Sequence, residues 1–231
     1  MSKNEIEKVM LTARFGKVDP ESIEDYQSLG GYSSLKKALK MTQREIIAEI
    51  KTSGLRGRGG AAYPTGMKMQ AVLEAHGSPK YLICNADEGE PGNFKDRYLM
   101  ESDPHQLIEG IIICAYATGI NTGYIFIRGE YIKAIRTVEK ALEQARRKGC
   151  LGDNILDSGF DFDMEVATGA GSYVCGEEFA LLSTIEGKPG RATYKPPFPT
   201  TSGLYNKPTQ INNVETFCNI PHIIEMGGAE Y

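Results

Sequence analysis

Residues 53–68 read SGLRGRGGAAYPTGMK, a stretch that gathers glycines, two arginines and a lysine. Glycine lets backbone N–H groups come close to a ligand because no Cβ intervenes. Arginine and lysine add fixed positive charge. The combination suits a phosphate or the ring edge of a nucleotide cofactor. Gly57, Gly59 and Ala62 also fit the G-x-G-x-x-G/A dinucleotide fingerprint, which belongs between a strand and a helix. The segment before it, TQREIIAEIKTSG at 42–54, instead sets Ile46, Ile47 and Ile50 on one helical face. The order is therefore helix, Gly-rich loop, helix, and the context is wrong for an ordinary Rossmann site.

Working outward, Pro64 and Thr65 open a helix that runs to about His76 and closes at Gly77. Residues 1–52 form a polar helical arm, broken near Leu29-Gly30-Gly31, that packs on the main domain of 53–231. Tyr81–Cys84 is a short apolar run of the kind found in buried strands. Asp103-Pro104-His105-Gln106 starts a helix, with Asp103 as cap and Pro104 at the first helical position. Tyr124–Ile127 gives a second strand and Glu130–Lys148 an amphipathic helix, acidic early and basic at Arg146-Arg147-Lys148. Phe162–Thr168 and Glu177–Ile185 supply a third strand and helix. Residues 190–210 are a proline-rich loop, after which Asn213 or a neighbour caps a last helix ending at Gly227-Gly228. The fold class is α/β, a mainly parallel Rossmann-like sheet flanked by helices with a helical N-terminal arm.

Bulk properties narrow the function. The net charge of −4 gives no electrostatic footprint for nucleic acid. The start of the chain has no secretory pattern, and the longest apolar run, Leu107–Ile120, is short and holds Glu109, so neither export nor membrane insertion is expected. The expected location is cytoplasmic, peripheral to a membrane at most. Cys84, Cys114, Cys150, Cys175 and Cys218 are odd in number and widely spaced, which suits buried thiols better than disulfides or a metal knuckle. His76, His105 and His222 sit in no ligand pattern.

In open α/β sheets, ligands lie beyond the carboxyl ends of the strands. NADEGEPG at 85–92 and GAGSYVCGEE at 169–178 each follow a strand, so both loops are expected to meet the Arg/Gly loop over one crevice. Asn85, Asp87, Glu88 and Glu90 form one polar cluster and Glu177 and Glu178 another. Either cluster alone is most simply a solvated loop. Beside glycines at a strand end, such carboxylates can accept hydrogen bonds from ribose hydroxyls or a carboxamide. They would also repel a 2′-phosphate and favour NAD over NADP. Gly169-Ala170-Gly171 and Gly176 are either a tight structural turn or a cradle of N–H groups for phosphate or flavin carbonyls. Phe198, on the stiff stem of Lys195-Pro196-Pro197, and Tyr63 can stack on a base or serve as packing. G-x-S-x-G and P-loop motifs are absent, which fits chemistry carried by a bound cofactor.

Four ordered stretches carry a resemblance: SGLRGRGGAAYPTGMK, CNADEGEPGNFKDRYLMESDPHQLIEG, GAGSYVCGEEFALLSTIEGKPG and KPPFPTTSGLYNKPTQINNVET. From about residue 15 onward the chain resembles the NADH-binding flavoprotein subunit of respiratory complex I, and the related subunits of NAD(P)-linked hydrogenases and formate dehydrogenases. The resemblance implies FMN as cofactor, NAD(H) as substrate and hydride transfer between them. It implies onward electron transfer to iron–sulfur partners, a thioredoxin-like [2Fe–2S] subunit among them, and finally to quinone or another acceptor. By position, Gly57, Arg58, Gly59, Gly60, Lys68, Asn85, Asp87, Glu88, Gly176, Asn212 and Asn213 look like the FMN side. Tyr63, Glu90, Glu178, Lys195 and Phe198 look like the NADH side, with Tyr173 and Glu177 shaping the flavin pocket. The family often has Phe where Tyr63 stands, and an aromatic where this chain has Met69-Gln70-Ala71. Family members continue into a ubiquitin-like domain and a [4Fe–4S] helical domain. This sequence stops at Tyr231 without the cluster-binding cysteine motif, so no iron–sulfur cluster is assigned to it and an assembly module without catalysis is the alternative reading.

Overall fold

A computed structural model describes residues 8–169 and 172–231. The arm contains three helices, α1 (Ile23–Ser28), α2 (Ser33–Ala38) and α3 (Gln43–Thr52). The break expected near Leu29-Gly30-Gly31 separates the first two. Thr42 and Glu45 form a reciprocal capping box that starts α3. Arm residues Ile23, Tyr26, Tyr32, Leu35, Ile46 and Ile50 are buried in the same core as the helices that cover the sheet.

Beyond the arm come α4 (Thr65–Glu74), β1 (Tyr81–Ala86), α5 (Lys95–Ser102), α6 (Pro104–Thr118), β2 (Thr122–Arg128), α7 (Ile132–Arg147), β3 (Asp163–Gly169), α8 (Glu178–Ile185), β4 (Thr209–Asn213) and α9 (Val214–Met226). The four strands form one sheet in the order β3-β2-β1-β4, and every pairing is parallel. Successive side chains point to opposite faces. Leu82, Cys84, Ala86, Ile125 and Ile127 join the larger core with residues of α4, α6, α7 and α9. Ile83, Phe126 and Ile211 face the other way, onto Leu181 and Leu182 of α8 and Leu204. Covering both faces satisfies the requirement of a parallel sheet.

Four sequence expectations are corrected, and one helix, α5, is added. β4 lies where the sequence pattern predicts loop, because TQINN holds one apolar residue, Ile211, and lacks the apolar run that marks a buried strand. It is nonetheless the partner of β1, from Tyr81↔Thr209 to Asn85↔Asn213. Helix α5 has no apolar periodicity to announce it. Helix α4 ends at Glu74, short of His76. Helix α7 begins at Ile132 with no acid in its first turn, because Glu130 lies outside it and pairs with Arg128 at 3.1 Å. Asp103 stands at the N-cap of α6 without a side-chain capping bond, since its carboxylate is held by Arg14 Nε at 2.7 Å.

Among the described residues, no helix is long and apolar enough to cross a membrane. All five cysteines are free and buried.

Candidate functional site

The order β3-β2-β1-β4 reverses direction between β1 and β4, the position where open parallel sheets bind ligands. Asn85, next to last in β1, stands directly opposite Asn213, which ends β4. The Gly-rich loop lies over this point. An isolated antiparallel bridge, Arg56↔Pro64, pinches its base. The Gly57 N–H donates to the Tyr63 carbonyl at 2.9 Å, and the Arg58 N–H to Thr216 Oγ1 at 2.9 Å. An added Cβ on Gly59 would stand 3.2 Å from Asn213 Cβ, so the absence of a side chain lets the loop rest on the end of β4.

Two cavities open at this edge. The larger, about 540 Å³, is lined by Arg58, Gly59, Gly60, Asn85, Asp87, Glu88, Glu90, Tyr173, Gly176, Glu177 and Asn213, together with Gly89, Asn93, Lys95, Asp96 and Val174. The smaller, about 290 Å³, is lined by Tyr63, Lys68, Glu178, Lys195 and Phe198, with Ala61, Ala71, Pro199, Thr200, Thr209 and Ile211. Consecutive residues divide between them: Gly60 walls one and Ala61 the other, as do Glu177 and Glu178.

The residues expected on the flavin side thus collect around the larger cavity, with three exceptions. Lys68 belongs to the smaller cavity, where its Nζ donates to the Ile211 carbonyl at 2.9 Å. Gly57 lines neither cavity and serves the loop closure. Asn212 is 6 % exposed and lines neither, and its Nδ2 has no partner among the described residues. On the nucleotide side the exception is Glu90, which walls the larger cavity and accepts a hydrogen bond from Tyr173. Ala170 and Gly171 lie outside the described residues.

The polar groups of the larger cavity are interlocked. Asn85 Nδ2 donates to the Gly176 carbonyl at 2.9 Å and joins the β1 and β3 loops. Asn213 caps α9 by accepting from the Glu215 N–H at 3.1 Å, and donates to Asp96 at 2.6 Å. Lys95 reaches Asp96 at 2.6 Å, Glu215 at 3.0 Å and Asn213 at 3.0 Å. Glu88 is buried, and its carboxylate accepts the Asp96 and Arg97 N–H groups at 3.0 and 3.1 Å. It therefore caps α5 from the preceding loop, since Phe94 at the N-cap position has no group that can accept. Asp87 keeps one buried oxygen without a partner. Burial pushes its carboxyl above the usual range, and the Arg128 charge pulls it back only in part.

In the smaller cavity, Glu178 lies between Lys195 at 2.8 Å and Lys68 at 3.5 Å. Burial opposes its ionisation, but the two lysines outweigh that and hold its pKa below the ordinary value. Glu177 caps α8 through the Phe179 and Ala180 N–H groups and meets Lys195 at 3.3 Å. Tyr63 and Phe198 present exposed rings, 52 % and 56 % accessible.

The sequence pattern gives no role to Lys95, Asp96 or Asn93, although they stand in the NFKDR stretch. Thr209 and Ile211 are hidden in the same way, because β4 itself is. Among the described residues, no three His, Cys, Asp or Glu side chains are grouped to hold a metal ion.

The family described as the Nuo51 FMN-binding domain matches residues 50–222. The chain is 55 % identical to an F-type subunit of NADH-quinone oxidoreductase in Rhizobium meliloti, over 91 % of its own length and 50 % of the relative's. It is 54 % identical to the corresponding F-type subunit in Aquifex aeolicus, covering 96 % of this chain and 52 % of that one. Identity is 52 % to the HndC protein of the NADP-reducing hydrogenase of Solidesulfovibrio fructosivorans, over 95 % and 44 %. A crystal structure of an NAD+-reducing [NiFe]-hydrogenase in the H2-reduced state superposes with a TM-score of 0.79 at 34 % identity, covering 97 % of this chain and 36 % of that chain. The chain spans about half the length of the curated relatives it matches.

Proposed function

The chain belongs to the Nuo51 FMN-binding domain family, and from that premise we propose that it binds FMN in the larger cavity and NADH in the smaller, as the NADH-oxidising module of a multi-subunit redox assembly. The observation that carries the reading is the shared wall. Residues adjacent in sequence, Gly60 and Ala61, Glu177 and Glu178, face two different cavities at the switch point of one sheet. Ligands in the two cavities would be neighbours across these two stretches of backbone.

The residues suit FMN. A cavity of about 540 Å³ is within the range that holds a cofactor of this size. Asp87, on the wall of this cavity, has a buried Oδ2 with no protein partner among the described residues. A buried unpaired polar atom costs about 1–3 kcal/mol, which a flavin ring N–H can relieve. Arg58 and Lys95 supply cations and Gly59-Gly60 an open backbone for the phosphate end. When bound, FMN supplies the redox chemistry, taking two electrons from NADH and releasing them singly. The protein aligns, orients and excludes water. Tyr63 and Phe198 offer aromatic faces to the nucleotide base, and Lys68 and Lys195 offer charge to its phosphates while holding Glu178 in place.

The onward acceptor is proposed to be an iron–sulfur partner of the thioredoxin-like [2Fe–2S] type, with quinone or another acceptor at the end of the path. Wall charge in the smaller cavity is two lysines to one glutamate. Repulsion of a 2′-phosphate is therefore weaker than the acidic motifs alone suggest.

The test is an anaerobic absorbance titration of the purified chain, loaded with FMN, desalted and given NADH. Retained flavin that bleaches supports the reading. Retained flavin that stays oxidised removes the NADH assignment, and absence of retained flavin removes the FMN assignment and favours the assembly-module reading.

A further inference from the structure

The four residues after the core of β2, Arg128-Gly129-Glu130-Tyr131, line neither cavity, yet they fasten both loops that do. Arg128 Nη1 donates to the Glu88 carbonyl at 2.9 Å. Its other nitrogens, Nε and Nη2, grip the Glu130 carboxylate at 3.1 Å each, which fixes the plane of the guanidinium. The ring of Tyr131 lies under the same guanidinium at 5.6 Å, and the Tyr131 hydroxyl approaches the Glu88 carbonyl at 3.4 Å. One residue on, the Gly129 N–H donates to the Gly169 carbonyl at the end of β3, 3.1 Å away. A Cβ at Gly129 would fall 2.8 Å from that oxygen, so no side chain fits there. The end of β2 thus holds the β1 loop through one residue and the β3 loop through the next.

We infer that Arg128 is a positioning residue for the flavin cavity, setting the place of the 87–90 backbone through the Glu88 carbonyl. The inference rests on the FMN reading above. Asp87, whose buried oxygen has no partner among the described residues, and Glu90, which meets Tyr173 across the cavity, lie on either side of the carbonyl that Arg128 holds. Fixing that carbonyl fixes both walls, and it does so without touching the ligand.

Three variants of the full chain separate the loop contact from the ion pair: Arg128→Gln, Arg128→Lys and Glu130→Gln. FMN affinity is read by quenching of flavin fluorescence, and amide hydrogen exchange at 87–90 is read in the absence of flavin. Loss of one charged hydrogen bond predicts about tenfold weaker FMN binding for Arg128→Gln. Arg128→Lys, which keeps a donor but loses the fork, is expected about threefold weaker, and Glu130→Gln within about twofold of the parent. Exchange at 87–90 should quicken in the Arg128 variants and not in Glu130→Gln. The inference is overturned if Arg128→Gln binds FMN as the parent does, or if Glu130→Gln loses as much as the Arg128 variants. Should Arg128→Gln not fold, the comparison of Arg128→Lys with Glu130→Gln decides by the same ordering. If the parent chain binds no FMN, the functional reading fails, and the exchange data alone decide whether Arg128 fixes the loop.

Discussion

Phe198 is more than half exposed at the mouth of the smaller cavity, on a stem of two prolines. On the proposed reading this ring stacks on the nucleotide base. Phe198→Ala is expected to raise the KM for NADH about tenfold, on the scale of base–aromatic stacking, with FMN retained and the thermal midpoint unchanged. Steady-state kinetics with a dye acceptor gives the answer, and an unchanged KM would remove Phe198 from the nucleotide site. Glu178 acts differently, because it restrains two lysines. Glu178→Gln breaks the ion pair of Lys68 and the shorter of the two held by Lys195, which keeps Glu177 at 3.3 Å, and takes away the carboxylate of this cavity. The ratio of kcat/KM for NADPH over NADH should then rise several-fold while flavin content holds. Loss of flavin with no change in nucleotide preference would reassign the residue to the other cavity.

At the scale of elements, short helices depend on groups supplied from elsewhere. Helix α5 has eight residues and Phe94 at its N-cap, so Glu88 provides the capping acceptor from the loop. Glu88→Ala is expected to cost about 1–2 kcal/mol of stability in the flavin-free chain, measured by urea denaturation. A flavin-dependent loss alone would contradict the capping role. The same element shows what the sequence could and could not tell. Strands β1 and β2 were legible because Leu82, Ile83, Ile125 and Phe126 are buried and apolar. The two glycine-bearing loops at strand ends were legible because backbone freedom leaves a mark in composition. Strand β4 was not, since four of its five residues are polar and their burial follows from pairing with β1, far away in sequence. Glu88 lines the larger cavity as expected, but its capping of α5 carries no local signal, and neither does the contact that Arg128 makes with its carbonyl.

The whole molecule is tied together by a buried polar network between arm and sheet helices. Glu109, in the middle of α6, accepts the Tyr32 and Leu35 N–H groups at 2.9 Å each and the Tyr26 hydroxyl. His105 meets Tyr32 at 3.0 Å and Gln144 at 3.1 Å, while His222 meets Gln106 at 2.7 Å. Burial lowers the pKa of both histidines from 6.5 to about 4. The unfolded chain therefore binds protons between these values that the folded chain does not, and stability falls as pH drops from about 6.5 toward 4. Each histidine accounts for on the order of 2–3 kcal/mol across that window. Asp103 and Glu109 are shifted upward by burial and work in the opposite sense at its acid end. The readout is thus a difference: His105→Gln and His222→Gln should each flatten the fall in thermal midpoint between about pH 6.5 and 4.5 relative to the parent. Parallel curves would show that the histidines charge freely in the folded state.

The neighbour of β1 on one side is β2, which follows it after two helices, but on the other it is β4, which comes only after α5, α6, α7 and α8. During synthesis the chain emerges from its amino end at roughly 5–20 residues per second, so β1 waits several seconds with one edge unpaired while those four helices are made. Asn85 has no Asn213 opposite it, and the Gly-rich loop no floor, until β4 leaves the ribosome. On the proposed reading, flavin capture therefore follows the making of the whole sheet.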